Sequence, residues 1–247
     1  VPDATALLIP VCALVMAIGT RVEHARKTLK AADAVCFDVD STVICKEGID
    51  ELAAYLGVGE QVAALTASAM GGSTPFHEAL AARLAVMRPS RSQLSAMLAD
   101  HPPAEMLTPG ITGLVQALTQ RKKRVFLVSG GFRQMIEPVA AVLGIPKTNI
   151  FANNLCFDAD GSFIGHDPTE LTSRAGGKAQ VVADLKVANG FSTVVMVGDG
   201  ATDMEARDVP GGADAFIGFG GVQVRDKVKA GACWFVTDFQ DIVAALE

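Results

Sequence analysis

Short hydrophobic runs recur along the chain, and segments with helical periodicity lie between several of them. The first run, Ala34–Phe37, is followed by Asp38 and Asp40, and its length and its Val and Phe residues favour a buried strand. Similar runs begin at Arg124, Ile150, Thr193, Ala215 and Trp234, and helical patterns cover Ile111–Gln120, Gln134–Leu143, Lys178–Lys186 and Val222–Ala230. This alternation predicts an α/β fold with a mainly parallel sheet and helices on both faces.

Two segments break the alternation. Residues 47–107 contain helical patterns and no convincing strand, which predicts a helical insert directly after the first strand. Residues 155–164 place Asp158-Ala-Asp-Gly161 between two short apolar runs, which predicts a β-hairpin. We therefore expect a core domain formed by residues 31–46 and 108–247, with residues 47–107 as an inserted helical cap.

Residues 1–30 form a separate N-terminal segment with an apolar run, Leu7–Gly19, that is interrupted by Pro10. This run is shorter than the ~20 residues that a membrane-spanning helix needs. We expect a helix packed on the body of the protein or a frayed remnant, rather than a membrane anchor. An amphipathic helix is predicted to follow over Thr20–Lys30.

Composition and charge exclude several classes of protein. Of the 247 residues, 50% are hydrophobic and 19% are charged, which is too apolar for an intrinsically disordered chain. The 21 basic and 27 acidic residues give a net charge of −6, which argues against a nucleic-acid-binding protein. The five cysteines are scattered and form no C-x-x-C pair, so neither a disulfide scaffold nor a thiolate zinc site is expected.

Polar residues follow the predicted strands at the end where open parallel sheets bind their ligands. Four carboxylates that meet there would repel one another, so a cation must hold them. No His or Cys lies at ligand spacing, and oxygen-binding Mg²⁺ therefore fits best. The residues at these strand ends are Asp38, Asp40, Ser129, Gly130, Gly131, Asp199 and Asp203, and Lys178 begins a helix after two glycines.

A carboxylate, a Mg²⁺, a Lys and a Ser around glycine turns are typical of a phosphate site, and a carboxylate can also act as the nucleophile. Each part alone has a plainer interpretation. A strand-end Asp can cap a helix, Ser129-Gly130-Gly131 can be only a turn, and Lys178 can be a surface residue. On composition alone, Glu47 and Arg83 in the insert would be solvated charges.

The ordered set of these motifs resembles the haloacid dehalogenase superfamily. Asp38-Val-Asp-Ser-Thr42 is similar to its D-x-D-x-[TV] signature, and Ser129, Lys178 and Gly198–Asp203 follow in the family's order. The similarity covers about residues 30–247 and is strongest to the members that hydrolyse O-phosphoserine, in particular the plant and algal plastid forms. The stretches that resemble the O-phosphoserine-hydrolysing members include Ala34–Glu51, Ala69–Gly72, Thr108–Gly110, Leu127–Arg133 and Gly198–Ala206. The stretches that resemble the plant and algal forms are Phe132–Ile136, Asn149–Leu155 and Gly211–Phe216.

The resemblance implies a Rossmann-like core with an inserted helical cap, and Mg²⁺-dependent hydrolysis of O-phosphoserine as the last step of phosphorylated serine biosynthesis. It implies that Asp38 is the nucleophile, forming an aspartyl-phosphate, and that Asp40 is the general acid and base. Asp38, the backbone carbonyl of Asp40, and Asp199 would bind Mg²⁺, supported by Asp203. The implied substrate contacts are Glu47, Met70, Phe76, Arg83, Ser129, Gly130, Gly131, Lys178 and Thr202.

The resemblance also implies a chloroplast stromal location, with the cytoplasm as the alternative, and a monomer or homodimer. From the charge and the short apolar run we expect no nucleic acid and no membrane as a partner. Another small-molecule phosphomonoesterase of the superfamily is the first alternative, against which Glu47 and Arg83 argue. A signalling receiver domain is the second, but it is shorter and has no acid two residues after its phospho-acceptor, as Asp40 is here. A silent binding module is disfavoured because no expected position is substituted.

Overall fold

The computed structural model describes residues 19–70 and 75–247. Six parallel strands form its central sheet in the order β3-β2-β1-β6-β7-β8, and β4 and β5 form a separate antiparallel pair. The prediction of a mainly parallel sheet is therefore confirmed. The strands are β1 (Ala34–Phe37), β2 (Arg124–Phe132), β3 (Ile150–Asn153), β4 (Leu155–Phe157), β5 (Phe163–His166), β6 (Val194–Gly198), β7 (Ala215–Phe219) and β8 (Trp234–Val236).

Helices cover both faces of the sheet, as predicted. Val35 and Phe37 of β1 pack in one buried cluster with α1, α7, α8 and α12, whereas Ala34 and Cys36 pack in another with α9, α10 and α11. Burial on both faces explains why β1 is continuously apolar. The helices are α1 (residues 19–31), α2 (Gly48–Tyr55), α3 (Gly59–Met70), α4 (Phe76–Met87), α5 (Arg91–Asp100), α6 (Pro103–Met106), α7 (Ile111–Gln120), α8 (Arg133–Val142), α9 (Gly177–Asn189), α10 (Ala201–Asp208), α11 (Asp226–Gly231) and α12 (Phe239–Ala245).

Helices α2–α6 lie between β1 and α7 in the chain. Four of them, α2–α5, share a buried cluster of their own, in which Leu52, Leu80 and Met97 lie against Phe132 and Met135 of the core. The chain leaves and re-enters the core at adjacent points, because Cys45 N donates to Met106 O at 2.8 Å and Thr108 N donates to Val43 O at 2.9 Å. The helical group therefore joins the sheet through two paired connections.

The predicted hairpin is confirmed by the antiparallel pairing of β4 with β5. Its turn contains Gly161 at φ 84°, a left-handed conformation that glycine adopts without steric penalty. Gly161 O accepts a hydrogen bond from Arg91 N at 2.8 Å, so the hairpin contacts the start of α5.

Two boundaries differ from the sequence-based expectation. The predicted helix over Val222–Ala230 begins only at Asp226, because Arg225 has an extended backbone with φ −111° and ψ 116°. Strand β2 continues past Ser129 to Phe132, which pairs with Asn153 after a register shift. The apolar run over residues 7–18 lies outside the described residues. Among the described helices, none is both long and apolar enough to span a membrane.

Candidate active site

A cavity of about 590 Å³ lies at the carboxyl ends of β1, β2 and β6, facing α2 and α4. Ser129 and Asp203 lie fully buried next to it. Met70 is the last residue of α3. Its side chain, predicted to contact the substrate, lies outside the described part of the structure. The other predicted site residues all line the cavity: Asp38, Asp40, Glu47, Phe76, Arg83, Gly130, Gly131, Lys178, Asp199 and Thr202.

Asp38 is positioned by the single turn Val39–Val43 that follows β1. Its Oδ1 accepts a hydrogen bond from Val39 N at 2.7 Å and lies 2.8 Å from Nζ of Lys178. Oδ2 accepts no hydrogen bond from the described residues. Because the carboxylate is buried and held through one oxygen, the other oxygen can face a ligand.

Lys178 lies near the start of α9 and pairs with two carboxylates, with Nζ 2.8 Å from Oδ1 of Asp38 and 2.7 Å from Oδ1 of Asp203. Burial alone would lower the pKa of this lysine. The charges of Asp203 and Asp38 outweigh burial and raise its pKa above the usual range. Lys178 is therefore a fixed cation beside Asp38.

Asp40 lies between two glycines. Its Oδ1 accepts a hydrogen bond from Gly48 N at 2.9 Å, and a Cβ atom on Gly131 would lie 2.9 Å from its Oδ2. Burial raises the pKa of Asp40 to about 8, with further contributions from the charges of Asp38 and Glu47. A carboxyl group with this pKa is protonated at neutral pH and can donate a proton.

The carboxylates of Asp38, Asp199 and Asp203 each place an oxygen within 4.8 Å of the other two. Burial raises the pKa of Asp199 and raises that of Asp203 to about 7, since ionising several buried carboxylates together is costly. The donors are all hard oxygens, which suit Mg²⁺. The residues present therefore fit a divalent cation.

Arg225 contacts this cluster and is absent from the sequence-predicted site. Its Nε donates to Oδ2 of Asp199 at 2.8 Å, and its Nη2 lies 3.7 Å from Oε1 of Glu47. The rule that ligand sites lie at strand ends could have found it, because Arg225 lies on the loop after β7. The same rule applies to Asn153 at the end of β3, whose Nδ2 donates to Gly130 O at 2.7 Å.

Glu47 directly precedes α2 and Arg83 lies on α4, and both side chains line the cavity. They add one negative and one positive charge to its lining. Oε1 of Glu47 accepts a hydrogen bond from Ser41 Oγ at 2.7 Å, and burial is the main cause that raises the pKa of Glu47. Burial also lowers the pKa of Arg83, which pairs with no carboxylate within 4.0 Å among residues 19–70 and 75–247. Phe76 lies over Gly130, where a Cβ atom would be 3.2 Å from its Cζ.

Comparison with known proteins identifies the family to which this chain belongs. The family described as haloacid dehalogenase-like hydrolase matches residues 32–207. The chain is 53% identical to the chloroplastic phosphoserine phosphatase of Arabidopsis thaliana, over 88% of this chain and 73% of that protein. It is also 53% identical to the phosphoserine phosphatase of Rattus norvegicus, over 90% of this chain and 96% of that one. The chain belongs to the phosphoserine phosphatase family of the haloacid dehalogenase-like hydrolases.

A solved structure also resembles this member of the family. A structure described as DsGPDH of Dunaliella salina has a TM-score of 0.80 and 34% identity over 90% of this chain. This chain spans 37% of that longer chain. The fold is thus shared with a protein that extends well beyond the matched region.

Proposed function

We propose that this protein is a Mg²⁺-dependent phosphatase that hydrolyses O-phosphoserine to serine and inorganic phosphate through an aspartyl-phosphate on Asp38. One observation carries the proposal: Asp38 and Asp40 share a cavity with Glu47 and Arg83. The first pair suits phosphoryl transfer, and the second pair offers an anion to an ammonium group and a cation to a carboxylate. An amino-acid phosphate ester carries all three matching groups.

In the first half-reaction, Oδ2 of Asp38 attacks phosphorus while Lys178 holds Oδ1. The bond between phosphorus and the serine oxygen breaks, and Asp40 donates its proton to that oxygen. Proton donation is needed because a serine alkoxide is a poor leaving group. The pKa of about 8 keeps Asp40 protonated for this step at neutral pH.

In the second half-reaction, Asp40 removes a proton from a water molecule that attacks the phosphorus of the aspartyl-phosphate. The bond from phosphorus to Asp38 then breaks, which releases phosphate and restores both carboxyl groups. Asp38, the backbone carbonyl of Asp40, and Asp199 would hold Mg²⁺, supported by Asp203. When bound, Mg²⁺ would offset the negative charge of the phosphoryl group and the carboxylates.

The remaining residues bind the two ends of the substrate. Ser129, Gly130, Gly131, Lys178 and Thr202 contact the phosphoryl oxygens. Glu47 binds the ammonium and Arg83 binds the carboxylate, since a planar guanidinium can bond both carboxylate oxygens at once. Phe76 completes the described part of the pocket.

The same proposal covers the organisation of the protein. Residues 31–46 and 108–247 form the catalytic core, and residues 47–107 form a cap that carries Glu47 and Arg83 to the core. The protein acts in the chloroplast stroma, where it completes phosphorylated serine biosynthesis, as a monomer or homodimer. The 53% identity to the chloroplastic protein of Arabidopsis thaliana supports this location.

The test is phosphate release from a panel of phosphomonoesters, with Mg²⁺ and after chelation of divalent cations. We expect O-phosphoserine to give the highest kcat/KM, and turnover to stop without Mg²⁺. The panel includes propyl phosphate, which lacks both charged groups of the amino acid. Equal kcat/KM for O-phosphoserine and propyl phosphate would favour the broader phosphomonoesterase and contradict the proposed substrate.

A further inference from the structure

The turn that carries the catalytic carboxylates is tied to the start of α2 by two adjacent side chains. Asp40 Oδ1 accepts a hydrogen bond from Gly48 N at 2.9 Å, and Ser41 Oγ donates to Glu47 Oε1 at 2.7 Å. Ser41 N also donates to Lys46 O at 3.1 Å. The position of Glu47 is therefore set by the catalytic turn itself and not only by the helices that follow it.

Ser41 has an unusual conformation for this contact. Its φ is 53° and its ψ is 11°, in the left-handed region that glycine adopts more readily than serine. Its side chain is buried, with the residue only 4% exposed. The feature that distinguishes serine from glycine at this position is the hydroxyl, which is directed at Glu47.

The hydrogen bond from Ser41 leaves the two oxygens of Glu47 in different states. Oε1 accepts from Ser41 and lies 3.7 Å from Nη2 of Arg225. Within the described parts of the chain, Oε2 accepts no hydrogen bond, and Glu47 lines the cavity. One oxygen is thus anchored to the protein, and the other is left for a ligand.

We propose that Ser41 is a positioning residue for substrate selection: its hydroxyl anchors Oε1 of Glu47 so that Oε2 receives the ammonium group of the substrate. This inference rests on the proposed function, because it takes the ammonium of O-phosphoserine as the ligand of Glu47. Ser41 is a cleaner probe than Arg225, since Arg225 also contacts Asp199 and its removal would disturb the carboxylate cluster.

The experiment compares O-phosphoserine with 3-phosphooxypropanoate, which keeps the carboxylate and lacks only the ammonium. The ratio of their kcat/KM values measures selection for the ammonium. In Ser41→Ala and Ser41→Gly this ratio should fall by roughly 10- to 150-fold, as expected for loss of a hydrogen bond to a charged group. The fall should lie mainly in KM for O-phosphoserine. Binding of L-serine, measured by calorimetry, should weaken likewise, while binding of inorganic phosphate should not change.

The two substitutions separate the hydroxyl from the backbone. Both remove the hydroxyl, but only Gly relieves the left-handed conformation, so Ser41→Gly should have the higher Tm of the two. Ser173→Ala is the matched control, because Ser173 is equally buried at 4% and donates only to the backbone oxygen of Glu170 at 2.8 Å. It should lower Tm without changing the substrate ratio.

Each outcome has one meaning. If the unmodified protein does not prefer O-phosphoserine over 3-phosphooxypropanoate, the assignment of Glu47 in the proposed function is wrong. If it does, and the ratio is unchanged in both Ser41 variants, the role of Ser41 is wrong. A ratio that falls in Ser41→Ala but not in Ser41→Gly would assign the effect to the backbone and also overturn the proposal. In a Glu47→Gln background, Ser41→Ala should change the ratio no further.

Discussion

Nζ of Lys178 lies 2.8 Å from Oδ1 of Asp38, whereas Oδ2 of that carboxylate accepts no hydrogen bond from the described residues. A carboxylate anchored through one oxygen by a fixed cation is oriented for attack through the other. The same cation also binds Asp203 at 2.7 Å, so it keeps two buried carboxylates at a defined separation. The arrangement therefore fixes the orientation of Asp38 within the acidic cluster.

The first prediction concerns the nucleophile. Asp38→Asn should abolish turnover, because an amide does not attack phosphorus and binds Mg²⁺ poorly. In the unmodified protein, labelled substrate should leave a phosphate on Asp38 that is stable to acid and labile to hydroxylamine. Mass spectrometry of the quenched protein locates the label. A label on Ser129 would contradict the assignment.

The second prediction concerns proton donation by Asp40. Asp40→Asn should lower kcat with O-phosphoserine by the ~10²–10⁴-fold that is typical of general acid–base catalysis. The loss in the first half-reaction should be smaller with p-nitrophenyl phosphate, whose leaving group needs little protonation. Burst-phase kinetics on both substrates resolve that step. An equal loss for the two esters would count against Asp40 as the acid.

The glycine beside Asp40 gives a third prediction. In Gly131→Ala the new Cβ atom would lie 2.9 Å from Asp40 Oδ2 and 3.2 Å from Ser129 Oγ, so at least one of these groups must move. A misplaced acid should lower kcat by roughly 10²-fold. The matched control is Gly113→Ala on α7, where a Cβ atom would meet nothing within 4 Å. The control should keep full activity and raise Tm, and an active Gly131→Ala protein would contradict the tight packing around Asp40.

The strands and the acidic residues could be predicted from the sequence because both follow from simple physical rules. A strand that is buried on both faces is continuously apolar, and this pattern predicts β1 and β8. The carboxyl ends of parallel strands face the ligand, and this rule predicts Asp38 and Asp199 as site residues. The sequence pattern did not indicate Arg225 as a site residue, because the periodicity of Val222–Ala230 predicts a helix that begins at Val222. In the structure Arg225 is extended and its Nε donates to Asp199, 26 residues away in the chain.

Ser41 was missed for a different reason. Its role depends on a left-handed backbone and on a turn that brings Glu47 within 2.7 Å, and neither is visible in a pattern of apolar and polar positions. The strand-end rule points to Asn153, but its hydrogen bond to Gly130 O joins the ends of two strands and is not visible in the sequence. Long-range hydrogen bonds of this kind become evident only once the fold is known.

The fourth prediction concerns pH and metal. Burial raises the pKa of Asp40 to about 8 and that of Asp203 to about 7, well above the ~3.9 of an unfolded Asp. Between about pH 4 and about pH 8 the folded metal-free protein therefore binds more protons than the unfolded chain. Its free energy of unfolding should fall as pH rises from about 4 to about 8. Mg²⁺ competes with the same protons. The increase in Tm on adding Mg²⁺ should thus be larger at pH 8 than at pH 6.

Thermal unfolding of chelator-treated protein, with and without Mg²⁺, measures this difference. Asp199→Asn supplies the control, since it removes a carboxylate that we propose binds Mg²⁺ and that lies outside the turn Val39–Val43. The Tm of this variant should respond little to Mg²⁺ at either pH. A Mg²⁺-induced increase that is the same at both pH values would contradict competition between the cation and these protons.

The fifth prediction concerns Arg83 and the carboxylate end of the substrate. Arg83 Nε donates to Ala79 O of its own helix at 3.1 Å, which orients the guanidinium, and the side chain lines the cavity. Arg83→Ala should lower kcat/KM for O-phosphoserine by roughly 30- to 4,000-fold, because leaving a partner charge unpaired costs ~2–5 kcal/mol. O-Phosphoethanolamine keeps the ammonium and lacks the carboxylate, so its kcat/KM should change little. Arg174→Ala removes another cation that lines the same cavity, and it should affect both esters alike. If Arg83→Ala lowers both esters by the same factor, Arg83 supports the cap fold or the phosphate rather than selecting the amino acid, and the broader phosphomonoesterase becomes the better description of the protein.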